Sequence, residues 1–408
     1  MSHFNPKHLL DRGPERFAPV DGLRAISVLW MIAFHAIYFV GWFVGREPFA
    51  GLLSHNALRP LENGHLGVDI FFVISGYLIA SLLLKELDRT GKIRLKAFYT
   101  RRAFRVLPAY VIGLLLTALI LKERSNIQYA WTNLLFINNF FPTDKQAMGW
   151  SWSLAIEEQF YLIFPVALIA LHSCARRQLK LFAWLLGLAF VIRIALVWIL
   201  KIDYPVPIHP VFDHDGFYRY FSGIYDKTYG RFGGILFGVL VAYLERDTAV
   251  LKSIASRPGL ARACLLTCGG VIGFFLMRAG YATPEDAWPR GALMVYFALY
   301  RYLFAACVAY GLLYVIAQAR FGKPGLFNRV LSWRGWLPAA ELSYGAYLLH
   351  PLVIIAVYFK HPPQLFTFGE MAGKFVTIFI VTFTLAYLMY AAVERPLREK
   401  GRILAKGA

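Results

Sequence analysis

Apolar residues in this chain form long uninterrupted runs, unlike the alternating or one-sided spacing of soluble domains. The runs recur along the whole sequence, and about 20 residues are enough to cross a hydrocarbon core of roughly 30 Å. They predict an all-α polytopic membrane protein with about ten transmembrane helices around a central polar cavity. The predicted spans are 20–43, 66–85, 102–121, 151–171, 179–200, 229–245, 260–279, 291–318, 340–359 and 371–393.

Basic residues are concentrated in alternate loops. The chain is 58% hydrophobic with a net charge of +19, and its Lys and Arg crowd into 85–105, 246–262 and the tail. The positive-inside rule then predicts that both termini lie in the cytoplasm. We interpret residues 1–408 as a single membrane domain with a short cytoplasmic N-terminal segment 1–18 and a cytoplasmic tail 394–408. The charge is explained by topology and by attraction to the lipid bilayer, and it predicts no nucleic-acid partner.

Ionisable residues in the first span point to one face. Helical spacing brings Arg24 and His35 to within about 20° of each other, and Asp21 lies one turn before Arg24. Such groups face protein or a water-filled cavity, because exposure to lipid costs several kcal/mol. Two interpretations remain open: an ion pair with a core histidine, or a histidine that transfers protons.

The fourth predicted span adds a carboxylate. Glu157 follows the tryptophans of "GWSWSLAIEEQFYLIFP" and has Tyr161 one turn further on the same face. Helical rise places Glu157 at a depth comparable with His35, so the two could form a general-base pair. A structural ion pair is the alternative for Glu157.

A basic segment precedes the third span, in "FYTRRAFRVLPAY". Arg102 and Arg105 are one turn apart beside Arg101, and paired guanidinium groups suit phosphate oxygens. Anchoring to lipid headgroups would need the same residues. Further candidates for the cavity are Asp69 at its entrance, Ser75 (favoured as a packing residue over a nucleophile), Arg231, Tyr344, Tyr347 and the intramembrane His350.

The loop 201–228 carries His209, Asp213, His214 and Asp215, but their spacing is irregular and we predict no metal site. The aromatic residues of the same loop suit an outer surface that stacks against sugar rings.

Seven segments in order resemble the acyltransferase-3 family of integral-membrane acyltransferases, of the O-acetyltransferase type. They are "DGLRAISVLWMIAFHA", "GVDIFFVISGYLI", "RRAFRVLPAY", "WSLAIEEQFYLIFP", "TYGRFGGILFG", "SYGAYLLHPL" and "ERPL". One departure stands out: Gly233 occupies the place, two residues after Arg231, where the family usually has an acid. Some relatives carry an appended SGNH domain. This sequence ends shortly after "ERPL", so we expect the membrane domain or a separate partner to complete the transfer.

The resemblance implies transfer of an acyl group, commonly acetyl, from cytoplasmic acetyl-CoA or another acyl-CoA to a hydroxyl of a glycan at the outer face. It implies a multi-pass protein of the bacterial cytoplasmic (inner) membrane that modifies a cell-envelope polysaccharide. The family's histidine maps to His35, its first-span arginine to Arg24, its arginine pair to Arg102 and Arg105, and its glutamate to Glu157.

Our hypothesis from these residues is that His35, oriented by Glu157, deprotonates the acceptor hydroxyl, while Arg24 or Arg231 stabilises the oxyanion. A covalent acyl-histidine is a second route. The competing function is a transporter or flippase with a proton-coupling histidine, which would not consume acyl-CoA. Neither the acceptor nor the oligomeric state can be predicted from the sequence.

Overall fold

The fold is helical throughout the part of the chain that the structure describes. The computed structural model describes residues 9–10, 17–122, 126–171, 175–204, 209–282, 288–362 and 368–407, so most of the predicted segment 1–18 lies outside them. The longer helices are α1 (Ala18–Val44), α2 (Gly67–Thr90), α3 (Leu95–Leu121), α4 (Trp152–Leu171), α5 (Ala175–Ile199), α6 (Gly233–Arg246), α7 (Pro258–Leu276), α8 (Arg290–Phe321), α9 (Ser343–Lys360), α10 (Phe368–Met389) and α11 (Arg395–Lys406).

Short helices connect these elements. The α-helical ones are Arg46–Leu53, Arg59–Glu62, Ala130–Leu134, His214–Tyr220, Thr228–Arg231, Thr248–Ser256, Leu326–Leu331 and Leu337–Glu341. Single 3₁₀ turns occur at Asn56–Leu58, Asn63–Leu66, Ile127–Tyr129, Asn138–Phe140, Thr143–Lys145, Gly149–Ser151 and Arg334–Trp336, and π-helical turns at Phe221–Tyr225 and Tyr390–Glu394.

The predicted all-α class is confirmed, and helix covers most of each predicted span. Within the described ranges, eight helices are long and apolar enough to cross a membrane. The count becomes nine if Leu326–Glu341 and Ser343–Lys360, which are bent by 56° relative to each other, are counted together as one span. The predicted span 229–245 is instead two helices, Thr228–Arg231 and the 14-residue α6. At 1.5 Å per residue, α6 covers only about 21 Å of a roughly 30 Å core. The count of ten and the cytoplasmic side of the termini stay predictions.

Helices α1, α2 and α8 form the middle of the bundle. Helix α1 packs on α2 and α9, α8 packs on α5, α6 and α7, and α3 packs along α11. Few side chains are buried in α5 from Lys180 onward or in α7, as expected for helices that face lipid. The ionisable residues of α1 are therefore enclosed by neighbouring helices.

Helices α2 and α6 approach each other closely, and this contact depends on two glycines. A Cβ atom on Gly76 would lie 2.1 Å from the carbonyl oxygen of Ile235, and one on Gly238 would lie 2.0 Å from that of Val73. Small residues let membrane helices approach backbone to backbone, and Gly76 and Gly238 serve this purpose here.

We predict that Gly76→Ala and Gly238→Ala each destabilise the protein by about 1–3 kcal/mol, the usual cost of overpacking a core. Thermal unfolding in detergent measures the effect. The control is Gly269→Ala in α7, where a Cβ atom meets nothing within 4 Å. Equal melting temperatures for Gly76→Ala and Gly269→Ala would contradict the close contact.

Candidate functional site

Three cavities follow one another along the bundle. The basic cavity, of about 730 Å³, lies at the ends of α1, α2 and α3 that carry the arginines. The middle cavity is much smaller, at about 80 Å³. The aromatic cavity, of about 270 Å³, lies at the opposite end of α1.

Shared lining residues show that the three cavities are neighbours. Arg24, Ser75 and Tyr161 line both the basic and the middle cavity, as do Arg102 and Arg105. Val68 and Tyr347 line both the middle and the aromatic cavity. The cavities therefore form an interrupted passage along the bundle, with Val68 and Tyr347 as the partition between its last two parts.

The basic cavity collects positive charge from three helices. The predicted Arg101, Arg102 and Arg105 line it together with Asp21 and Arg24. Three further basic side chains line it, Lys85, Arg89 and Arg94, and the acid Glu86 lies among them. Such a surface suits a ligand with several phosphate groups.

The middle cavity holds the predicted carboxylate. The Tyr161 hydroxyl donates a hydrogen bond of 2.9 Å to Oε2 of Glu157. The Arg102 guanidinium lies over the Tyr161 ring, 4.8 Å from its centroid. Tyr344 also lines this cavity, and its hydroxyl donates to the backbone oxygen of Val106 at 3.0 Å.

His35 lies on the other side of the partition, in the wall of the aromatic cavity. Both of its hydrogen bonds to described residues are made by Nδ1, to the backbone oxygen of Met31 at 3.0 Å and to Nε2 of His350 at 3.1 Å. The structure thus places Glu157 and His35 in different cavities, and the hydrogen-bond partner of His35 is a second histidine. Helical rise alone indicated similar depth, but it could not show that Tyr347 lies between the two cavities.

Tyr347 is held in its partition position by the start of α4. Its hydroxyl donates to the backbone oxygen of Trp150 at 2.5 Å and lies 2.5 Å from Oγ of Ser153. This arrangement anchors the Tyr347 ring of α9 against the start of α4, where it forms the partition together with Val68.

Asp69 lies apart from the cavities, contrary to its predicted place at the entrance. It is 3% exposed, and its carboxylate bridges two buried arginines, Arg231 at 3.2 Å and Arg301 at 2.6 Å. The Arg231 guanidinium stacks on Trp152 and Tyr225, at 4.9 and 5.0 Å from their ring centroids. Both of those rings line the aromatic cavity. Arg231 therefore lies behind the cavity wall and does not line any of the three cavities.

Tyr302 takes the space in which an acid at position 233 would stand. A Cβ atom on Gly233 would lie 2.5 Å from a carbon of the Tyr302 ring. The carboxylate partner of Arg231 is supplied by Asp69 of α2 instead. Arg231 therefore has a carboxylate partner although position 233 is a glycine.

Two contacts hold the described part of the loop 201–228 in place. Asp213 caps the helix His214–Tyr220 by accepting from the Gly216 amide at 2.9 Å. His209 lies against Tyr38, whose backbone oxygen is 3.0 Å from Nε2, and burial lowers the pKa of His209 to about 3. Among the described residues, His, Cys, Asp and Glu form no group of three placed to hold a metal ion.

Comparison with known families identifies the chain. A family model described as an acyltransferase domain, acyltransferase 3, matches residues 17–391. The protein belongs to the acyltransferase-3 family. It shares 26% identity with nose resistant to fluoxetine protein 6 of Caenorhabditis elegans, over 94% of this chain and 51% of the relative. It shares 28% identity with O-acetyltransferase OatA of Staphylococcus aureus (strain NCTC 8325 / PS 47), over 95% of this chain and 58% of the relative.

The chain thus spans between half and three fifths of the length of these relatives. No solved structure matches it. The membership agrees with the resemblance found in the sequence, whereas the roles of the individual site residues stay predictions.

Two buried arginines were missed in the sequence. Arg301 of α8 pairs with Asp69, and Arg193 of α5 donates to the backbone oxygens of Phe297 at 2.5 Å and Gly230 at 3.0 Å. Both lie inside predicted spans. An arginine within a span is itself a sign of a polar partner, and that signal was available in the sequence.

We predict that Asp69→Asn destabilises this acyltransferase-3 protein by about 3–5 kcal/mol, because it leaves two buried guanidinium groups without a carboxylate. The control is Asp88→Asn in the same helix, since Asp88 pairs with Arg246 at the surface, where ion pairs contribute about 0–1 kcal/mol. Thermal unfolding in detergent compares the two variants. Equal losses of stability would contradict a dominant role for the buried pair.

Proposed function

We propose that this protein is a membrane O-acyltransferase that moves an acyl group, acetyl in the first instance, from acyl-CoA to a hydroxyl of a sugar or glycan. The observation that carries the proposal is the passage: a basic cavity at one end, an aromatic cavity with His35 at the other, and residues shared between neighbours. Membership of the acyltransferase-3 family and the name of its O-acetyltransferase relative support the reaction type.

The donor enters the basic cavity. Its phosphate groups contact Arg101, Arg102 and Arg105, whose guanidinium forks match phosphate oxygens. The slender pantetheine arm then passes Arg24 and Ser75 into the middle cavity, which brings the thioester towards the partition. By the positive-inside rule, the basic end faces the cytoplasm, where acyl-CoA is found.

The acceptor enters the aromatic cavity from the outer face. Eleven of its lining side chains are Phe, Tyr or Trp from α1 and from the segments around 150 and 217–225, and such rings stack on the apolar faces of sugars. A glycan hydroxyl placed beside His35 is on the opposite side of Tyr347 from the thioester. The partition must move for the two to react, so it also keeps water from the thioester until both are bound.

The reaction proceeds by general-base catalysis. His35 takes the proton from the acceptor hydroxyl as its oxygen attacks the thioester carbon. Arg24, which lines the middle cavity, stabilises the negative charge on the carbonyl oxygen of the tetrahedral intermediate. The carbon–sulfur bond then breaks, and the proton held by His35 passes to the departing CoA sulfur. An ester and free CoA leave with the protein unchanged.

Donor consumption tests the proposal directly. We would reconstitute the purified protein in liposomes, add acetyl-CoA with a radiolabelled acetyl group and candidate glycan acceptors, and follow thioester loss and label transfer. We expect turnover by the wild type, with kcat about 10²–10⁴-fold lower for His35→Ala because the base is lost. The Arg102→Ala/Arg105→Ala variant should raise KM for acetyl-CoA about tenfold or more, because charge-assisted hydrogen bonds to phosphate are lost.

The matched control is Arg329→Ala/Arg334→Ala, which removes two exposed arginines that do not line the basic cavity. It should leave KM for acetyl-CoA unchanged. If neither acetyl-CoA nor other acyl-CoAs are bound or consumed with any acceptor tried, the proposal fails and a transporter with a proton-coupling histidine becomes the better explanation.

A further inference from the structure

Two histidines from distant parts of the chain form a contact inside the bundle. His35 of α1 and His350 of α9 have ring centroids 4.8 Å apart, and Nδ1 of His35 lies 3.1 Å from Nε2 of His350. His350 is fully buried, whereas His35 is the member of the pair that lines the aromatic cavity.

The backbone determines which nitrogen of His350 carries the proton. Its Nδ1 lies 3.1 Å from the oxygen of Ala346 and 2.8 Å from that of Tyr347. A carbonyl oxygen can only accept, so Nδ1 is the donor. A neutral imidazole has one N–H group, and Nε2 of His350 therefore presents a lone pair to His35.

The same logic then applies to His35. Its Nδ1 faces two acceptors, the carbonyl oxygen of Met31 and the Nε2 lone pair of His350. An unprotonated Nδ1 would place lone pair against lone pair at both contacts, so Nδ1 must carry the hydrogen. Among the described residues no carboxylate is hydrogen-bonded to either ring, so a resting charge on the pair would be costly and both rings are neutral. The proton count leaves Nε2 of His35 unprotonated.

We propose that His350 is a positioning residue that holds His35 in its Nδ1-protonated tautomer and so keeps Nε2 available as the base. The tautomer stands on these contacts alone, whereas its use in catalysis rests on the proposed function. When Nε2 takes the acceptor's proton, the bond from Nδ1–H to His350 becomes charge-assisted and strengthens. His350 thereby stabilises the imidazolium until the proton passes to the CoA sulfur.

The tautomer can be measured without any turnover. We would label histidines with ¹⁵N in detergent-solubilised protein and assign His35 by the signals lost in His35→Gln. The nitrogen chemical shifts distinguish a protonated from an unprotonated ring position. We expect a protonated Nδ1 and an unprotonated Nε2; a protonated Nε2 on His35 in the wild type would overturn the proposal.

Kinetics test the role of His350. His350→Leu removes the acceptor, and we expect kcat to fall about tenfold to a hundredfold with KM for acetyl-CoA little changed. The loss is smaller than the 10²–10⁴ of a whole general base, because Met31 still accepts from Nδ1. His350→Gln, whose amide oxygen can accept, should recover part of the rate and restore the Nδ1-protonated signal.

The matched control is Tyr358→Phe. The Tyr358 hydroxyl donates to the backbone oxygen of Ala36 at 2.8 Å, so this variant removes another buried hydrogen bond between the same two helices. A kcat for His350→Leu equal to that of Tyr358→Phe would show that His350 acts only in helix packing and would overturn the proposal. Absence of turnover in the wild type would count against the proposed function, while the nitrogen shifts would still decide the tautomer.

Discussion

The arrangement of the bundle depends on one carboxylate shared by two buried arginines. Asp69 of α2 joins Arg301 of α8 to Arg231, which ends the short helix before α6. Inside a membrane a charge is tolerated only when it is paired, so this contact fixes three segments relative to one another. Trp152 and Tyr225 stack on Arg231 and also line the aromatic cavity. The geometry of the candidate site is therefore set by charges that do not line it.

A second constraint is the separation of the two end cavities. The basic and aromatic cavities differ in charge and in chemistry, and in the proposed reaction a passage open throughout would let water reach the thioester. Val68 and Tyr347 lie between the middle and aromatic cavities, and Trp150 and Ser153 hold the Tyr347 hydroxyl. Trp150 lies in the turn just before the helix that carries Glu157, and Ser153 lies in the first turn of that helix. The same helix therefore holds Tyr347 at its start and carries Glu157 into the middle cavity.

Much of the fold could be predicted from the sequence, because apolar runs of membrane length are a strong local signal. The face shared by Arg24 and His35 also followed from helical spacing, and both residues line cavities. The partners could not be predicted, since spacing within one helix does not show which helix lies beside it. Helical depth predicted Glu157 as the partner of His35, but His350 of α9 occupies that position. The short helix α6 was predicted too long because its apolar run continues across the break at Phe232.

The side chain beside His35 is a neutral imidazole, whereas the sequence predicted a carboxylate, and this difference has a chemical consequence. A carboxylate partner would stabilise the imidazolium strongly and so favour its persistence, as suits a mechanism with a long-lived intermediate. A neutral partner still fixes the tautomer but stabilises the cation less, so the proton returns readily to a departing thiolate. Glu157 lies in the middle cavity with Arg24, on the other side of the partition. In the proposed reaction the histidine pair therefore favours direct transfer, in which His35 holds the proton only while the acyl group passes from sulfur to oxygen.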